Sequence, residues 1–137
     1  MSEDNDYDLK CKIVLIGESG VGKTCIISRY VEQKFDPNEQ ATYNASFSTK
    51  IVNINNKSIE LNLWDTVGQE RFRSFTNIFF INAKIVVLVY DVTNRGSFEE
   101  IKKYWYQKVK EKTTKDVDKF IIYLLFFYNY SYRSRSE

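Results

Sequence analysis

Eight residues constrain this chain more than any others: Gly17–Thr24 reads G-E-S-G-V-G-K-T, a full match to G-x-x-x-x-G-K-[ST]. The run before it, Cys11–Ile16 (C-K-I-V-L-I), is short and apolar, as in strands buried on both faces. The stretch Gly22–Gln33 that follows has no Gly or Pro after its start and suits a helix. A strand before and a helix after distinguish a phosphate cradle from a Gly-rich turn with a chance Lys-Thr. Gly17, Gly20 and Gly22 let the backbone through Glu18, Ser19 and Val21 curl, so that successive N–H groups point at phosphate oxygens, aided by the helix dipole. Lys23 is spaced to reach the β- and γ-phosphates of a nucleoside triphosphate, and the Thr24 hydroxyl to ligate Mg²⁺. Cys25 follows on the helix beside the cofactor, and is expected to be packed and unreactive.

The remaining pattern alternates strands with helices. Pro37 and its polar neighbours (F-D-P-N-E-Q) mark an exposed loop. Phe47–Ile54 and Ser58–Asp65 alternate in polarity around Asn55-Asn56-Lys57, which predicts a hairpin. Ile85–Tyr90 (I-V-V-L-V-Y) reads as a second buried strand, and Phe120–Phe127 as another. Between them Phe98, Ile101, Trp105 and Val109 recur at helical spacing, giving an amphipathic helix to about Lys112. The fold class that follows is α/β: a P-loop NTPase with a doubly wound, mainly parallel sheet, one antiparallel hairpin strand and helices on both faces.

Composition excludes several alternatives. At 137 residues there is room for one domain, expected at 9–127 and incomplete, between a disordered acidic tail at 1–8 and a divergent tail at 128–137. A net charge of +2 gives no bulk basic field for nucleic acid. The absence of His removes His-based catalysis and the usual zinc sites. Two cysteines make no disulfide framework, which points to a reducing, cytoplasmic setting. The longest apolar run, Phe120–Tyr128, is about half a membrane span. Ser2 stands where myristoylation needs Gly, and the closing R-S-R-S-E holds no cysteine, so no lipid anchor is expected.

A second segment narrows the chemistry. Leu63–Glu70 reads L-W-D-T-V-G-Q-E, placing Asp65 at the carboxyl end of a strand, where doubly wound sheets bind their ligands. A carboxylate there can hold Mg²⁺ through water, Gly68 lets a backbone N–H approach the γ-phosphate, and Gln69 can orient an attacking water. Alone, D-x-x-G would be read as a surface turn; with the phosphate loop upstream, the joint reading is a triphosphate-hydrolysing site.

From Leu9 to Glu111 the sequence resembles the Ras-like small GTPases, and within them the Rab branch. The resemblance is carried by G-E-S-G-V-G-K-T, by W-D-T-V-G-Q-E-R-F-R-S (Trp64–Ser74) and by Y-D-V-T-N-R-G-S-F (Tyr90–Phe98). It implies GTP/GDP and Mg²⁺ as cofactors, with Lys23 and Gln69 in catalysis and Thr24, Thr42 and Asp65 around the metal. It also implies that Phe35 packs on the guanine, with pinning of the helix end to the core as the alternative. Thr42 is otherwise one polar loop residue among many. Phe47, Trp64 and Phe79 match the aromatic triad by which Rab proteins meet effectors, or are ordinary sheet-packing aromatics. The partners implied are effectors, an exchange factor and a GTPase-activating protein, which would supply the arginine finger, around a monomeric switch.

The sequence departs from that family at three places. Switch I reads A-T-Y-N-A-S-F, with Tyr43 and Asn44 where Ile-Gly is usual. Val67 stands where Ala is usual, and a β-branched residue beside Gly68 stiffens the backbone. The guanine-reading N-K-x-D and S-A-K loops are not found; after the fifth strand the chain reads F-F-Y-N-Y-S-Y-R-S-R-S-E, so a fold truncated there is expected. Two functions follow: a Rab-like GTP/GDP switch of the vesicle-traffic type with slow hydrolysis, or a non-cycling, weakly nucleotide-binding Rab-like protein that competes for Rab partners.

Overall fold

The computed structural model describes residues 7–124, except positions 41, 43, 69 and 114. Among the described residues five strands form one sheet: β1 (Leu9–Ile16), β2 (Ser46–Ile54), β3 (Lys57–Asp65), β4 (Ile85–Asp91) and β5 (Asp118–Leu124). Their spatial order is β2-β3-β1-β4-β5. β1 pairs in parallel with β3 (Ile13↔Leu63, Leu15↔Asp65) and with β4 (Val14↔Val86), and β4 pairs in parallel with β5. Among the described strands only β2 runs antiparallel, against β3. The chain moves from β1 to one side for β3 and to the other for β4, so the order reverses at β1 and opens a crevice at its carboxyl end.

The apolar runs of β1 and β4 are buried on both faces, as a mainly parallel sheet requires. Val14, Ile16, Val86 and Leu88 point to one face, where they meet Ile101, Trp105 and Val109. The alternating residues Leu15, Val87, Val89 and Leu63 point to the other, where they meet Val21 and Ile27. Helix α1 (Lys23–Glu32) lies over this second face.

Several boundaries differ from the sequence reading, each for a local reason. Gly22 and Gln33 flank α1 in left-handed conformations (φ 100° and 58°) and do not extend it. The helix expected from Phe98 starts three residues earlier: α2 (Arg95–Glu100) is capped by Asn94, whose side chain accepts the Ser97 N–H. It continues through a π-helical turn (Ile101–Trp105) into α3 (Tyr106–Lys112). Ser97 is buried; its hydroxyl donates to the Asn94 carbonyl at 2.7 Å and accepts the Asp91 N–H at 3.0 Å, which makes Tyr90–Phe98 a tightly bonded corner. The hairpin turn is the two residues Asn55-Asn56, both at positive φ, with Ile54 and Lys57 already paired. β5 begins at Asp118, whose N–H donates to Lys84 O, before the apolar run starts; 125–127 and the tail at 128–137 lie outside the described residues. At the amino end, Asp8 already bonds Ser58 through both its N–H and its carboxylate. A 3₁₀ segment, Glu70–Phe80, was not foreseen.

Candidate nucleotide-binding site

The phosphate loop leaves β1 at Gly17 with φ 148°, and a Cβ there would sit 2.2 Å from the Val89 carbonyl oxygen. Only glycine lets β1 end this close to β4. Val21 turns its side chain into the core beside Ile27 and Val89, so its place in the loop leaves only its backbone for a phosphate. Beside the loop lies an open cleft of about 170 Å³. Ser19, Gly20, Gly22, Lys23, Thr24, Cys25 and Gly68 line it. Phe35, Asp36, Pro37, Glu39, Gln40 and Thr42 line it as well.

Lys23 is buried, and its Nζ donates to the backbone oxygens of Gly17 (3.0 Å) and Glu18 (2.7 Å). Burial pushes its ammonium down to about 8, against the opposing pull of Asp65 and Glu18. Both of its bonds go to carbonyls, so a phosphate oxyanion would add counter-charge in direct contact with this buried ammonium. Thr24, one residue on, joins two distant segments. Its hydroxyl donates to Asp65 Oδ2 at 2.6 Å and lies 2.6 Å from the Thr42 hydroxyl, which can donate to it in turn. Burial raises the Asp65 carboxyl above its ordinary range, against the Thr24 hydrogen bond and the Lys23 charge. Thr66, next along, is buried and donates to Leu15 O at 2.6 Å, which fixes the end of β3 against β1.

These residues fit a magnesium ion. Asp65 Oδ1 is buried and has no hydrogen-bond partner among the described residues, while Thr24 and Thr42 add two hydroxyl oxygens beside it. A hard, oxygen-only donor set of this kind suits Mg²⁺.

Phe35 is 56% exposed and borders the cleft. Cys25 is half-buried; burial raises its thiol, and the charges of Glu39, Asp65 and Asp36 raise it further, as for a packed cysteine. Gln69 lies outside the described residues, as does Tyr43. Phe47, Trp64 and Phe79 do come together: ring centroids are 5.2 Å apart for Phe47–Trp64 and 5.9 Å for Trp64–Phe79. Phe47 is exposed, and Lys12 Nζ lies 4.6 Å from the Trp64 ring centroid.

Sequence reasoning passed over two acids that line the cleft, Asp36 and Glu39, as an exposed loop; the nearby Phe35 was its only signal. It also passed over Arg73, although Arg73 stands inside the quoted Trp64–Ser74 string.

A family model described as the Ras family matches residues 12–124. Among curated proteins the chain is 49% identical over 105 residues to Ras-related protein SEC4 of Saccharomyces cerevisiae, covering 77% of this chain and 48% of that one. It is 40% identical over 116 residues to Ras-related protein Rab-8B of Homo sapiens, covering 85% and 56%. To Ras-related protein Rab-10 of Diplobatis ommata it is 41% identical over 116 residues, covering 85% and 58%. The chain spans about half the length of the curated relatives it matches.

Proposed function

Because the chain belongs to the Ras family, in its Rab branch, we propose that it is a guanine-nucleotide-binding switch of the vesicle-traffic type that hydrolyses GTP slowly. The observation that carries this reading is the meeting of three segments at one hydroxyl: Thr24 of the phosphate loop bonds both Asp65 at the end of β3 and Thr42 of the preceding loop. A ligand that engages Thr24 therefore acts on both flanking segments at once, which is what a switch requires.

The roles follow from position. Lys23 and the loop N–H groups bind and neutralise the β- and γ-phosphates. Thr24, Thr42 and Asp65 would hold Mg²⁺ directly or through water, and the metal, when bound, neutralises charge that develops on the phosphate oxygens. Gly68 brings a backbone N–H toward the γ-phosphate, and Gln69 orients the attacking water. An arginine supplied by a partner would raise turnover by about 10³–10⁵. Phe35 stacks on the base. The Phe47–Trp64–Phe79 cluster is the surface offered to effectors, and a solvent-exposed aromatic such as Phe47 suits that use. An exchange factor and a GTPase-activating protein would complete the cycle. None of the described helices is long and apolar enough to cross a membrane, so membrane contact would come through partners or segments outside those described.

The comparisons lend no support to the alternative of a non-cycling Rab-like competitor. Calorimetric titration with GTP, GDP and ATP in Mg²⁺ tests the proposal. Submicromolar, guanine-selective binding is the expected result. Weak binding indifferent to the base would overturn it.

A further inference from the structure

Glu18 is the second residue of the phosphate loop, yet its side chain points away from the cleft. Its Oε1 accepts from Arg73 Nη2 at 2.5 Å and from the Trp105 indole N–H at 2.8 Å. The same Arg73 nitrogen donates to Glu100 Oε2 at 2.9 Å, and the guanidinium carbon lies 4.2 Å from the Tyr104 ring centroid. The phosphate loop, the 3₁₀ segment, α2 and the π turn are thus joined through one carboxylate and one guanidinium. Both are largely shielded: side-chain exposure is 17% for Arg73 and 21% for Glu18. Trp105 is fully buried.

Glu18 also acts through its backbone. Its carbonyl holds Lys23 Nζ at 2.7 Å while its carboxylate holds Arg73 and Trp105. A phosphate that takes up the Lys23 ammonium competes with the Glu18 carbonyl for it, and any shift of that residue strains two charge-assisted bonds together. Two bulwarks keep the shift from being absorbed elsewhere. Ile101, Trp105 and Val109 are anchored in the core, so the helical side is a fixed reference. Gly68 packs so tightly on the loop that a Cβ there would lie 2.4 Å from the Glu18 carbonyl carbon, so the entry to the 3₁₀ segment follows the loop.

We propose that Glu18, Arg73 and Trp105 form a latch that couples occupancy of the phosphate loop to the placement of the Glu70–Phe80 segment, with Glu18 and Arg73 as its positioning residues. The inference rests on the nucleotide-binding reading for the signal it transmits, but the mechanical link stands without ligand. Arg73→Gln removes the cation and keeps a polar side chain. Arg73→Lys keeps the charge but not the planar fork.

The chain has two tryptophans, so Trp64→Phe leaves Trp105 as the one indole reporter beside Glu18. In that background, Mg²⁺ with GTP is expected to shift Trp105 emission. Arg73→Gln is expected to cut the shift at least about tenfold while GTP affinity by calorimetry stays within about threefold, and Arg73→Lys to restore part of it. A full shift persisting in Arg73→Gln overturns the latch. So does nucleotide binding with no Trp105 response. If calorimetry finds no nucleotide binding at all, the functional reading fails separately. Hydrogen exchange of the ligand-free chain then decides the latch: Arg73→Gln is expected to speed exchange in 17–22 as well as in 70–80. Faster exchange in 70–80 alone overturns it.

Discussion

The Thr24 hydroxyl donates to Asp65 Oδ2 at 2.6 Å, joining residues 41 positions apart, while Asp65 Oδ1 is left buried and unpaired among the described residues. A buried carboxylate oxygen with no donor is costly unless a cation completes it. Asp65→Asn is therefore expected to weaken Mg²⁺-dependent nucleotide binding by about 10–100-fold. Titrations with and without a chelator check this: the variant and the parent should converge once Mg²⁺ is removed. A loss of equal size in chelator would mean that Asp65 acts by other means.

Gly68 is placed by close approach. A Cβ there would lie within 2.5 Å of Gly17 O and Ser19 N as well as near Glu18. These are backbone atoms and cannot swing away, so the segment itself must move. Gly68→Ala is expected to lower stability to urea by about 1–3 kcal/mol and to weaken GTP binding more than GDP binding. Unchanged stability would show that the segment lifts off the loop at no cost.

The β2–β3 turn offers a test remote from the site. Asn55 and Asn56 have φ of 51° and 61°, the geometry of a two-residue hairpin whose hand matches strand twist. Asn56→Gly should be neutral or slightly stabilising. Asn56→Val should cost about 1–2 kcal/mol, because a β-branched side chain resists the left-handed region. Urea midpoints of the two variants compared with the parent settle it.

Lys12 gives a pH dependence. Its Nζ donates to Ile81 O at 2.9 Å and lies over Trp64, and burial lowers its ammonium below the ordinary 10.5. A lysine lowered by folding binds fewer protons folded than unfolded in the window just below 10.5, so its contribution to stability improves as pH rises through that window. Thermal midpoints at pH 8 and pH 10 (about two units spanning the window) should therefore favour the parent over Lys12→Met more at the higher value. An equal gap at both pH values would contradict the assignment.

What could be read from the sequence was local. The loop Gly17–Thr24 is a contiguous string whose shape its glycines enforce, and it links β1 to α1 as the flanking pattern predicts. Cys11–Ile16 and Ile85–Tyr90 announced central strands because residues such as Val14 and Leu15 are buried on opposite faces, which leaves no polar alternation to see. Asp118 escaped as a strand residue because its pairing is through the backbone, with no apolar side chain to mark it. The 3₁₀ segment escaped for another reason. Arg73 is held by Glu18, 55 residues earlier, and Glu18 by Trp105, 87 residues later. No short window contains both ends of such a bond. Asn94 could have been recognised as a cap by its type, but the apolar spacing first shows at Phe98.

The π turn at Ile101–Trp105 bears on how this stretch tolerates changes of length. Ile101, Trp105 and Val109 are spaced by four and all buried, whereas a spacing of four in an α-helix drifts by about 40° at each step. The wider turn takes up that drift by carrying an additional residue in its loop of backbone. Deleting one residue inside Ile101–Trp105 would restore ordinary α-helical winding and leave Val109 facing the sheet. The same deletion at Tyr106, Gln107 or Lys108 would swing the following side chains by about 100° and turn Val109 toward water. Within one helix, the chain thus holds a spare residue at one place and none four positions further on.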